Sequence, residues 1–256
     1  MMIKNYVLNF NILFLVIMMA TSCVSKKNVI YFQDDAIINN ELLKNYAPKI
    51  QSDDILNITV NALDAATAMP FNLYQGSQAN STRSISYLVD NQGNITFPVL
   101  GKIGVAGLTT NELKDKLIVE LEAYIKQPIV NIRLENFRVS ILGEVKSPGS
   151  FNLENEKVSI PEAIAMAGDL SIQGKRKNIL LIRKNGENIE SIRLDLTDKS
   201  IFKSPYYYLA QNDIVYVEPN NTRARNSSIG AATGVTISIV GILISVATLV
   251  VTILNN

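Results

Sequence analysis

At 256 residues and 47 % apolar content, the chain is long enough for one or two domains with a substantial core. A formal charge of +1, with no long basic stripe interleaved with aromatics, argues against nucleic acid as a partner. The absence of His and Trp and the single Cys exclude His-based triads, His-ligated metals, zinc clusters and disulfides. No arrangement of the remaining carboxylates, Tyr, Ser or Lys points to an enzyme, and no cofactor or metal is expected.

The opening MMIKNYVLNFNILFLVIMMATSC sets Lys4 before an apolar run from Ile12 to Met19, followed by small residues. That is the n-region, h-region and boundary of a secretory signal. Cys23 follows Ala20-Thr21-Ser22 directly, at the one place where bacterial lipidation needs it. Residues 1–22 are therefore expected to be a lipoprotein signal peptide and Cys23 the lipidated residue. An ordinary signal with an incidental Cys, or an uncleaved anchor, is the alternative. Cleavage before Cys23 removes only Lys4, leaving 23 basic and 23 acidic residues.

Residues 23–45 read as a tether. In IQSDDILNITVNAL, apolar Ile55, Ile58 and Val60 among polar neighbours predict a strand over about 54–62. Residues 64–84, rich in Ala, Ser, Asn and Thr, read as an irregular loop. SISYLVDNQGNITFPVLG predicts a hairpin turning at Asp90-Asn91-Gln92-Gly93. Next comes a helix opened by a Thr109/Glu112 capping box, with Leu113, Leu117, Leu121 and Tyr124 on one face and Pro128 at its end. IVNIRLEN then alternates as a strand.

A second unit begins near Phe137. FRVSILGEVKSPGSFNL gives two strands around Ser147-Pro148-Gly149, and Ser159 with Glu162 caps a short helix that Gly168 can close. NILLIRKNGENIESIRLDL is a hairpin on Asn185-Gly186. LAQNDIVYVEP closes the unit and echoes IQSDDILNITV, with Asp54 and Asp213 in matching positions. Each Asp is read as fixing a turn into a strand by bonding the backbone, not as a catalytic pair. Lys175-Arg176-Lys177 is either a contact for an acidic polymer or headgroup, or a solvated loop. Tyr206-Tyr207-Tyr208 either offers flat faces to sugar rings or packs within a subunit or domain contact.

From Ile229 the chain carries no charged side chain. At ~1.5 Å per residue, a helix to Leu254 would reach about 39 Å, enough for a ~30 Å hydrocarbon layer. At ~100° per residue, Gly230, Gly234, Ser238, Gly241, Ser245, Thr248 and Thr252 fall in one stripe about 80° wide. That stripe serves either as a small-residue helix-packing seam or as the wall of a pore.

DDILNITV, VDNQGNITFPVLGKIGVAGLTTNELKDKL and PIVNIRL, followed by GEVKSPGSF, LSIQGKRKNILLIRKNG and LAQNDIVYVEP, all behind a lipobox, resemble the outer-membrane polysaccharide export family, the Wza-like lipoproteins. The resemblance covers nearly all of the chain after Cys23. It implies an α+β, mostly β fold: a polysaccharide-export domain over 46–135, one β-grasp-like SLBB domain over 136–219, a linker over 220–228 and a transmembrane helix over 229–254. It further implies a homo-oligomeric ring forming a porin-like channel for capsular polysaccharide or exopolysaccharide. That ring would sit in the outer membrane, anchored in lipid at Cys23 with a periplasmic body, and meet an inner-membrane polysaccharide co-polymerase. Larger members carry two SLBB units, which leaves direct contact with that partner open. The alternatives are a membrane-anchored periplasmic glycan- or ligand-binding lipoprotein without transport and, more remotely, a carboxylate-based glycan hydrolase.

Overall fold

The structure, a computed structural model, describes residues 26–33, 46–75, 83–186 and 188–228, together with 238, 239, 241, 242, 245 and 246. Signal peptide, lipobox and Cys23 lie outside the described residues.

The first domain is built on strand β1 (Ile55–Asn61), whose inward residues Leu56, Ile58 and Val60 are buried and whose alternate residues are partly exposed, as period-2 patterning requires. A helical turn α1 (Ala65–Ala68) and a 3₁₀ turn (Met69–Phe71) follow, the first capped by the Asp64 carboxylate on the Ala66 N–H. Short strands β2 (Tyr74–Gln75) and β3 (Arg83–Ser84) pair with each other. The stretch read as an irregular loop thus holds structure, because Phe71 is apolar enough to be drawn into the core.

Strand β4 (Tyr87–Leu88) pairs with one edge of β1, and β7 (Ile129–Leu134) with the other, both antiparallel. The hairpin expected around Asp90–Gly93 is corrected here. The turn exists, with Gly93 at φ 79° and its N–H donating to the Asp90 carbonyl. Its two arms nonetheless join different sheets. Strand β5 (Asn94–Phe97) pairs with β6 (Gly101–Gly104), while β4 stays on β1. Ala106 explains the divergence: its N–H and that of Val105 both donate to the Gly93 carbonyl, which ties the turn to the segment after β6.

Helix α2 (Thr110–Leu121) starts at the predicted capping box, both halves of which form. Leu113, Leu117 and Leu121 are fully buried, but Tyr124 is exposed. The helix stops before it, and Ile125 takes the inward position instead.

The second domain is one five-stranded sheet, ordered β11-β10-β12-β8-β9. Its strands are β8 (Arg138–Gly143), β9 (Gly149–Asn152), β10 (Gly174–Asn185), β11 (Asn188–Leu194) and β12 (Ile214–Pro219). The first and last strands of the unit, β8 and β12, run parallel side by side at its centre. Helix α3 (Ile160–Met166) sits between β9 and β10 in sequence, with its Ser159/Glu162 capping box formed and Gly168 closing it at φ 77°. This is the β-grasp order. A single contiguous core links the two domains, from Ile50 through Phe137 to Val217.

A transmembrane helix over 229–254 is also corrected. Among the described residues no helix is long and apolar enough to cross a membrane. After β12 the described helix is α4 (Asn221–Ser228), a short polar segment carrying Arg223 and Arg225. Of the small-residue stripe, Ser238, Gly241 and Ser245 are helical and exposed, and the Ser245 hydroxyl bonds back to the Gly241 carbonyl. Such back-bonding satisfies a hydroxyl within its own helix. Gly230, Gly234, Thr248 and Thr252 lie outside the described residues.

Gly143 and Gly186 both have positive φ, 90° and 63°, but only Gly143 is confined, since an added Cβ would run into the Val217 carbonyl. Gly143→Ala is expected to cost about 2–4 kcal/mol by combining strain with a clash. Gly186→Ala should cost only about 1 kcal/mol. Urea unfolding midpoints of the two variants test this ranking.

Candidate functional site

The chain crosses between domains at Asn136, and side chains from both sides close the crossing. The Asn136 amide donates to the Asp53 carbonyl at 2.9 Å and accepts from the Ile55 N–H at 2.9 Å. Gln211, 3 % exposed, reaches back from the second domain: its amide donates to the Asn136 carbonyl at 2.7 Å and accepts from the Arg138 N–H at 2.8 Å. Two planar amides thereby satisfy four backbone groups that the crossing would otherwise strand.

The matched aspartates flank this crossing. Asp54 accepts from the Gln51 N–H at 2.8 Å and Asp213 from the Ala210 N–H at 2.7 Å, each bonding the residue three positions back. The turn-forming role read from the repeated phrase is what the geometry shows. Their remaining oxygens differ. Asp213 is gripped by Arg183, with Nε at 3.0 Å and a terminal nitrogen at 2.6 Å, and that nitrogen also donates to the Tyr208 carbonyl at 3.0 Å. Burial opposes the Arg183 charge, but Asp213 more than offsets it and holds the guanidinium above its usual pKa. Asp54 has no ion-pair partner among the described residues. Its Oδ1 finds no hydrogen-bond donor, although the Gln211 side chain lies alongside. Burial, opposed by the Gln51 N–H, pushes its carboxyl up to about 6.

Of the segment read as a tether, residues 31–33 are bonded to the second domain. The Phe32 N–H donates to the Leu196 carbonyl at 3.0 Å and the Gln33 N–H to the Thr197 carbonyl at 2.7 Å. The Tyr31 hydroxyl donates to Asp169 at 2.6 Å, and its pKa is raised above the ordinary value by burial and by that carboxylate. Sequence reasoning missed this strap, because pairing of 32–33 with 196–197 leaves no local pattern.

Tyr206, Tyr207 and Tyr208 are part of the same surface. Tyr207 packs on Phe202 and Tyr208, Tyr208 stacks on Tyr46 at 4.9 Å beneath the Lys157 ammonium, and Arg183 lies over Tyr206. Their rings are engaged in holding Tyr46, at the start of the first domain, and the 199–203 turn against the second domain, which is the packing alternative. The basic triplet also differs from a solvated loop. It lies at the start of β10, where the register slips between Gly174 and Ile179. Arg176 is buried, bonded to the Gly174 and Ser171 carbonyls and set over the Tyr31 ring, while Lys175 pairs with Glu218 at 3.2 Å.

Beside the crossing is an open cleft of about 1420 Å³, with Asn57, Arg133 and Glu135 on the first-domain wall and Asn152–Lys157 on the second. Among the described residues no group of three or more metal-ligating side chains comes together.

Residues 43–135 match the family described as polysaccharide biosynthesis/export protein, and residues 137–217 match the SLBB domain. The chain is similar to two proteins named EPS I polysaccharide export outer membrane protein EpsA. That of Ralstonia solanacearum is 29 % identical over 136 residues, covering 52 % of this chain and 36 % of that protein. That of Ralstonia nicotianae is 30 % identical over 160 residues, covering 59 % and 42 %. The chain thus spans less than half the length of these relatives.

Arg183→Ala is expected to destabilise the second domain by about 3–5 kcal/mol, since it leaves the buried Asp213 unpaired. For Asp54 the sign is opposite to that of a usual salt-bridged carboxylate. Its folded pKa lies above the unfolded value, so the folded state binds the extra proton and the penalty of the buried charge is relieved as pH falls from about 7 towards 4. Asp54→Asn should therefore gain stability relative to the parent at pH 7 and lose most of that advantage at pH 4.5. Parallel denaturation curves at the two pH values would measure it, and an unchanged difference would contradict the assignment.

Proposed function

We propose, since this chain belongs to the polysaccharide export family, that it is an outer-membrane component through which a capsular polysaccharide or exopolysaccharide leaves the cell. The family is one of export proteins and not of enzymes. The observation that carries the reading is the order of the two matched domains, export domain then SLBB domain, continuous across the single-residue crossing at Asn136. The relatives named as outer-membrane export proteins match over 136 and 160 residues of alignment, 52 % and 59 % of this chain.

The strap supports an orientation. If Cys23 carries lipid, Tyr31 is only eight positions further along, a reach of at most about 28 Å for an extended chain. The second domain, to which Tyr31, Phe32 and Gln33 are bonded, would then lie next to the membrane, with the export domain directed into the periplasm. Exposed Leu63 and Ile129, near the end of the sheet where Asn61 faces Ile129, favour contact with further copies of the chain, as a ring around a passage requires. An inner-membrane polysaccharide co-polymerase would deliver the polymer to that ring. The remaining small-residue stripe has no assigned role in this scheme.

Removal of the chain from cells that make it is expected to abolish surface polysaccharide while synthesis continues inside. Unchanged surface polysaccharide would reject the export reading. Rings with an axial opening in images of the detergent-purified protein are expected; monomers at high concentration would favour a ligand-binding lipoprotein. Cys23→Ser should abolish fatty-acid labelling, and retained labelling would refute the lipid anchor.

A further inference from the structure

We propose that the cleft between the two domains is a saccharide groove that holds a segment of the exported polymer by hydrogen bonds to its hydroxyls. The proposal rests on the export reading for the identity of the polymer and on the cleft itself for the binding.

The cleft is large and open, about 1420 Å³, whereas pockets that enclose a small molecule run ~300–1,000 Å³ and are mostly apolar. This one is lined by amides, carboxylates, a guanidinium and an ammonium, together with Leu134 and Leu153. Two of the carboxylates are fixed by hydrogen bonds, Glu156 across the walls and Glu135 within its own wall. Glu156, from the second domain, accepts from the Thr110 hydroxyl at 2.9 Å and the Leu134 N–H at 3.4 Å of the first. Glu135 accepts from the Asn57 amide at 2.9 Å and the Ser86 hydroxyl at 2.6 Å. The Glu156 bonds tie the second-domain wall to the first, and the Glu135 bonds fix that carboxylate on the first.

Between them, Arg133, Asn152, Glu154 and Asn155 are exposed, and their side chains make no hydrogen bond with the described residues. Their chemistry suits a sugar. A carboxylate accepts from two neighbouring hydroxyls, an amide both donates and accepts, and a guanidinium donates a fork. The charges nearly balance, with Glu135, Glu154 and Glu156 against Arg133 and Lys157. A groove for a polyanion would instead be lined with one sign of charge and would bind more weakly as salt rises. Recognition here depends on hydroxyl geometry, is expected to be weak per residue, and tolerates sliding.

The test uses the detergent-purified full chain with the surface polysaccharide isolated from the producing cells, with dextran of equal length as the comparison, in affinity electrophoresis at 50 and 500 mM salt. The parent is expected to be retarded by the native polysaccharide at both salt concentrations. The double variant Arg133→Ala/Asn155→Ala should lose at least ten-fold in affinity with an unchanged unfolding midpoint and elution volume. Glu154→Gln, which keeps the shape and removes the charge, should lose less. Equal retardation of parent and double variant, retardation that high salt abolishes, or a double variant that loses binding by changing its oligomeric state would each overturn the groove. The two readings fail separately. Loss of the chain without loss of surface polysaccharide removes the export reading, whereas export that needs the chain alongside unaltered binding by the double variant removes only the groove.

Discussion

A chain that passes from one folded unit to another in a single residue must satisfy every backbone group on the way, and Asn136 with Gln211 does this with two side-chain amides. An unpaired buried amide or carbonyl costs about 1–3 kcal/mol, comparable to a large fraction of a domain's margin of stability. Four backbone groups meet here, three of them in part-buried bonds. Their pairing lets Phe137 sit fully buried at the junction and lets the two cores run together as one. With a flexible linker in its place, the cleft beside it would have no fixed width and the Tyr46–Tyr208 stack no fixed partner.

The two aspartate turns show how one local solution acquires different electrostatics from its surroundings. Both carboxylates bond the backbone three residues back. Arg183 completes Asp213 and, by bonding the Tyr208 carbonyl, connects that turn to the aromatic surface. Asp54 occupies the equivalent place in the first domain, where among the described residues no ion pair forms and its Oδ1 meets no donor, so the same motif carries a less compensated charge at the domain junction. The strap over residues 31–33 adds a third element to this side of the second domain. It brings residues 31–33 to the unit from which α4 also departs, directly after β12.

Local chemistry determined a good deal of this protein from the sequence. Both capping boxes, the hairpin at Gly186 (with Asn185 in its strand, paired to Asn188, and not in the turn as expected), the Asp-bonded turns and the strand patterns of Ile55–Asn61 and Ile129–Leu134 arise from contacts within a few residues, and all are present. The family was equally legible, because the order of strands, glycines and capped helix is written along the chain.

What depended on distant partners was decided by the tertiary structure. Asp90–Gly93 is a turn by its own residues, but whether its arms pair with each other rested on Ala106 and on the free edge of β1, and those sent them apart. A basic triplet looks solvated until Arg176 is placed between two carbonyls and the Tyr31 ring. The apolar carboxyl-terminal run has the composition of a span, yet composition fixes transfer energy and not helix length, and no described helix attains the length a bilayer needs. The cleft has no sequence signature at all: its two walls, near residues 133–135 and 152–157, become one site only because Glu156 reaches across to Thr110 and Leu134.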